Sequence, residues 1–113
     1  MKVKVIAGLL SLSGTLLFSP LATAADADAA QALAKKEGCL KCHAVDKKKE
    51  AKSLKDIGKL YAGKPDAEAK ILNQMTSGTK VKFEDGTEED HKIIKTKDKA
   101  EINNLIAWIL SLK

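Results

Sequence analysis

Arginine is absent from this chain, and every positive charge is a lysine. The planar fork that grips a phosphate in two places at once is therefore missing. The lysines are scattered among acids rather than gathered with stacking aromatics, which disfavours nucleic-acid binding. Aromatic residues are themselves scarce: one Trp, one Tyr and two Phe, a thin supply for the core of a small domain. The longest apolar run, Ile6–Phe18, has 13 residues, short of the roughly 20 that a membrane span needs. Reactive side chains are few, with two cysteines and two histidines in 113 residues. Three of those four crowd into "CLKCH", Cys39 to His43.

The first residues set the compartment. Lys2 and Lys4 precede the apolar run, and "SPLATAA" closes it with small residues. This is the three-part pattern of a secretory signal, with Ala22-Thr23-Ala24 as the cleavage site. Residues 1–24 are thus expected to be removed, leaving a mature chain of 89 residues, 25–113, in a bacterial periplasm. Net charge falls from +5 to +3 with the loss of Lys2 and Lys4. What is left makes one small domain, and a domain of that size often needs a metal, a disulfide or a cofactor to complete it.

Most of the mature chain reads as helix. "ADADAAQALAKKEG" offers Asp26 or Asp28 as a cap, alanines that favour helix, lysines in the last turn and Gly38 as a stop. "SLKDIGKLYAG" predicts a short helix opened by Ser53 and ended by Gly63. "KPDAEAKILNQMTSG" predicts another, with Pro65 at its first position and Ala67, Ile71, Leu72 and Met75 along one buried side. From Thr79 to Lys97 the periodicity fails. Asp85-Gly86, between Val81/Phe83 and Ile93/Ile94, suggests a small hairpin or an irregular loop. A 19-residue stretch of that kind is usually functional in a compact domain. "DKAEINNLIAWILSLK" closes the chain as the clearest helix, with a capping-box-like Asp98 and Glu101 and an apolar stripe through Ile102, Leu105, Ile106, Ile109 and Leu110.

Four chemistries compete for Cys39, Cys42 and His43. A redox-active Cys-x-x-Cys pair expects alternating strands and helices, which the chain lacks. A disulfide across so short a loop would constrain little of the unfolded chain. Zinc wants four tetrahedral ligands, and only the distant His91 could be the fourth. Covalent haem attachment uses every residue: two thiols join the two vinyl groups, and the next residue sets an imidazole under the iron. Such a cofactor also supplies the apolar body that the scarce aromatics cannot. A fold built around it should be lost when the haem is withheld.

On these residues the chain resembles the class I c-type cytochromes. "ALAKKEGCLKCHAVD" is similar to the family's first helix and haem motif, and the later helical segments follow in the family's order. The resemblance implies an all-α fold: a few helices wrapped around one covalent haem c, the first and last crossing, with a long loop or small hairpin before the last. It implies thioethers at Cys39 and Cys42 and His43 as proximal axial ligand to iron. Two departures stand out. Where the family has Gly-Pro, whose proline carbonyl accepts from the proximal imidazole, this chain has Ala51-Lys52. The family's distal methionine is also missing from the loop before the last helix, and His91 stands at about that place, 17 residues ahead of Trp108. His91 is therefore the favoured distal ligand and Met75 the weaker alternative, with an open or lysine-ligated sixth position as the third.

The function implied is that of a soluble periplasmic carrier of single electrons, not an enzyme, and a monomer that meets redox protein partners. Lys35, Lys36, Lys41, Lys47, Lys48 and Lys49 surround the haem motif in sequence and would steer a partner with an acidic docking surface. Two rivals stay open. One is a haem-based binder of small ligands with a displaceable His91; the other is a small haem subunit of a larger redox enzyme.

Overall fold

Asp26 opens the first helix: its carboxylate accepts the Ala29 N–H at 3.0 Å and satisfies a donor that the first turn leaves free. A computed structural model describes Gly14 and residues 24–113; the expected leader otherwise lies outside the described residues. Helix α1 runs Ala27–Lys36 and stops at Gly38, whose φ of 79° only glycine takes without strain. A 3₁₀ turn, Cys39–Lys41, follows. Ser53 caps α2, Leu54–Tyr61, by accepting the Asp56 N–H at 3.0 Å.

Helix α3 spans Ala67–Thr76 and begins two residues later than Pro65 had suggested. Pro65 sits instead in a turn that the Ala67 N–H closes on the Lys64 carbonyl at 3.2 Å. Asp66 makes no cap because its carboxylate pairs with Lys70 at 3.0 Å. After α3 the hairpin exists, but its register differs from expectation. Strand β1, Lys80–Lys82, pairs antiparallel with β2, Glu88–Asp90, and not with Ile93/Ile94. Ile94 is claimed by the core, where its N–H donates to the Met75 carbonyl at 2.9 Å.

Helix α4, Lys99–Ser111, is capped by Asp98, which accepts from Ala100 and Glu101 N–H groups. The expected box is relayed rather than direct: Glu101 accepts the Thr96 hydroxyl, and Thr96 Oγ accepts the Asp98 N–H. The core forms where α1 lies against α4. Ala30 and Ala34 have no exposed surface, so the small side chains let the two backbones come close. Leu33 faces the α4 stripe of Ile102, Leu105, Ile106 and Ile109, each worth about 2 kcal/mol of burial. Asn104 ties the same helices at their far end, accepting the Asp26 N–H at 2.8 Å and donating to the Asp26 carbonyl at 2.9 Å. Among the described residues the fold is all-α apart from the two short strands.

Candidate functional site

The site begins where α1 stops. Gly38 turns the chain into the 3₁₀ turn, in which side chains three apart eclipse one another. That geometry sets Cys39 and Cys42 on the same side of the turn. Both thiols are free and half-buried. Burial pushes the Cys39 thiol up, with Glu37 adding to the shift and its own backbone hydrogen bond and Lys92 opposing it. A thiol raised in this way is the opposite of an activated redox cysteine. Cys39 opens the turn, Cys42 is its C-cap, and the imidazole of His43 is next in line.

His43 is oriented from behind. Its Nδ1 donates to the Lys52 carbonyl oxygen at 2.6 Å, which leaves Nε2 as the nitrogen turned to other use. The carbonyl arrives at the position where the family places a proline, although no proline is present. Main-chain bonds supply the rigidity instead. Ala51 N–H donates to Cys42 O at 2.9 Å, Leu54 to Ala44 at 2.9 Å, and Lys55 to Val45 at 2.9 Å. Loop 46–52 is thus laced back onto the motif that it supports.

His91 arrives from the other side of the molecule, just after β2. Its N–H donates to the Thr79 carbonyl at 2.8 Å, and its Nδ1 to the Lys92 carbonyl at 3.0 Å. Burial holds its pKa below the usual imidazole value, opposed by the Lys92 carbonyl and assisted by the nearness of His43. The neutral ring, the form that binds metal, is favoured. The centroids of the two imidazoles lie 6.3 Å apart, with the ring planes tilted by 47°. Metal–imidazole bonds of about 2 Å, with each ring centre about 1 Å behind its nitrogen, put two trans rings about 6 Å apart. The observed separation therefore fits one metal ion between them.

Beside His43 opens a cleft of about 560 Å³ lined by Leu40, Val45 and Lys47 to Lys49, among others. Lys48 is paired with Glu84 at the hairpin tip, and Lys49 donates to the Leu40 carbonyl at 2.9 Å. Lys35, Lys36, Lys41 and Lys47 are exposed. Met75 lies in the core cluster with Ile71 and Ile94, 8% exposed.

One residue escaped the sequence reading. Glu37, the C-cap of α1, is 5% exposed, and its carboxylate accepts the Lys95 N–H at 2.7 Å and the Thr96 N–H at 3.2 Å. The only signal was an acid at the C-terminal end of a helix, where the dipole disfavours negative charge.

The cytochrome c family model matches residues 27–113. Cytochrome c-552 of Nitrosomonas europaea is 35% identical over 100 residues, which cover 88% of this chain and 94% of that one. Cytochrome c-551 of Pseudomonas aeruginosa is 38% identical over 73 residues, covering 63% and 66% of the two chains. Among solved structures, the class 1 cytochrome MtoD of Sideroxydans lithotrophicus ES-1 superposes with a TM-score of 0.75 at 52% identity, over 79% of this chain and 98% of that one. The wild-type cytochrome c552 of Nitrosomonas europaea superposes with a TM-score of 0.58 at 33% identity, over 78% of this chain and all of that one.

Proposed function

The chain belongs to the class I c-type cytochromes, and on that premise we propose that it is a periplasmic carrier of single electrons whose haem is held between His43 and His91. The family brings one covalently attached haem c, and when bound it supplies an iron that alternates between two oxidation states. Cys39 and Cys42 would carry the two thioether links, and His43, steadied by Lys52, would give the proximal nitrogen. His91 would give the distal one.

A single observation carries the distal assignment: the 6.3 Å between the two ring centres. Met75 is the alternative donor, but it packs within the apolar cluster and its helix needs it there. Both imidazoles are anchored by backbone carbonyls, so neither ring has to reorient when an electron passes. Ile94, Met75 and Ile71 are buried in the core cluster. An imidazole in place of a thioether also sets the potential low for the family. Export by cleavage after Ala24 would put the protein in the periplasm. The exposed lysines around the motif would favour an acidic partner, with no substrate turned over.

Carbon monoxide tests the carrier against the ligand-binding sensor. The ferrous holoprotein is expected to be inert on mixing with the gas, because His91 fills the sixth position. Rapid and complete binding would overturn the carrier assignment in favour of a sensor with a displaceable histidine.

A further inference from the structure

We infer that Glu37 is the positioning residue that sets the His91 segment at its working distance from the haem motif, an inference that rests on His91 being the distal ligand. The segment 91–96 is fastened in two directions. On the side of α3 and the residues that follow it, two main-chain bonds hold it, His91 N–H to Thr79 O at 2.8 Å and Ile94 N–H to Met75 O at 2.9 Å. Toward the motif, the hydrogen bonds among the described residues come from one side chain. Glu37 takes the Lys95 and Thr96 N–H groups, one on each carboxylate oxygen.

The residue's address makes the role specific. Glu37 is two residues before Cys39 and is locked as the cap of α1 by its own N–H on the Leu33 carbonyl at 2.8 Å. Its partners lie four and five residues after His91. The carboxylate therefore spans the proximal and distal halves of the site, contacts that are 58 and 59 residues apart in sequence. Its placement costs free energy locally, since a buried acid at a helix C-terminus meets both desolvation and an adverse dipole. A lysine there would suit α1 better. Two charge-assisted hydrogen bonds to the segment offset that cost, and they act where about 1 Å decides whether two imidazoles can share one metal.

The test uses the ferric holoprotein and cyanide, which can bind only after the distal ligand leaves. Glu37→Ala is expected to speed cyanide uptake roughly tenfold to hundredfold, about the worth of one charged hydrogen bond, because water replaces part of what the two N–H groups lose. Hydrogen exchange should quicken at the Lys95 and Thr96 amides while those of His91 and Ile94 stay protected. Glu37→Gln, nearly isosteric, keeps one acceptor oxygen and should free Thr96 before Lys95, with an intermediate uptake rate. Asn104→Ala is the control, because it weakens the α1–α4 tie without touching the segment. Wild-type uptake and wild-type protection in both Glu37 variants would overturn the inference, as would equal acceleration in Asn104→Ala. A ferric spectrum unchanged by His91→Ala would instead overturn the ligand assignment beneath it.

Discussion

His43 and Lys52 are joined by a hydrogen bond of 2.6 Å from the imidazole Nδ1 to a main-chain oxygen. The bond survives the loss of the family's proline because loop 46–52 is held from several other points. The Ala51 N–H is one of these, donating to Cys42 O.

Proline at position 51 and proline at position 52 should therefore behave differently. Ala51→Pro removes a bonded donor and is expected to cost about 1–3 kcal/mol in a denaturant melt. It should also raise the reduction potential, because a loosened Lys52 carbonyl makes the His43 ring less basic. Lys52 N–H has no partner among the described residues, so Lys52→Pro should keep the wild-type potential and gain up to about 1 kcal/mol. The reverse order of stabilities would contradict this account of the loop.

Gly58 is where α2 meets the end of α4. A Cβ there would run into the Ile109 carbonyl oxygen and lie 2.8 Å from that of Leu112, both of them backbone. Gly58→Ala should lower stability by about 1–3 kcal/mol, despite alanine's better helix propensity. An unchanged or raised melting temperature would show that the two helices can separate freely.

The pKa of His91 is lowered chiefly by burial, and this sets a direction with pH. A base with a depressed folded-state pKa contributes stability that is fully present above its ordinary value of 6.5 and is lost as pH falls through the lowered value. A bond to iron would favour the neutral ring further, so the ferric spectrum should hold steady from about pH 8 down past about 6.5 and change only in more acid solution. A transition centred at or above the ordinary value would contradict it.

Exposed Lys41 and Lys47 flank the motif, whereas Lys64 and Lys113 sit by the C-terminal end of α4. Replacing Lys41 and Lys47 by Glu should slow electron exchange with an acidic redox protein about threefold to tenfold at low salt. Replacing Lys64 and Lys113 should not. Stopped-flow rates against ionic strength would show it, and equal effects from both pairs would mean that net charge alone steers the encounter.

How much of this was legible in the sequence depends on distance along the chain. Cys39, Cys42 and His43 belong to one turn, so their chemistry could be read from adjacent letters. The helices announced themselves through Asp26, Ser53 and Asp98 caps and the α4 stripe, all local features. His91 was singled out because it is the only histidine besides His43 and stands where the family's last loop delivers a ligand. The hairpin register was not legible because both faces of β2 are exposed, so no buried side fixes the pairing. Glu37 was the least legible of all. Its partners are main-chain groups far along the chain, and backbone donors leave no mark in a sequence.

Low-temperature electron spin resonance of the ferric holoprotein, paired with near-infrared absorption, tests the pairing of His43 with His91 most directly. Wild type and Met75→Leu should share one bis-imidazole signature, and His91→Ala should lose it. A thioether signature that persists in His91→Ala and vanishes in Met75→Leu would contradict the account.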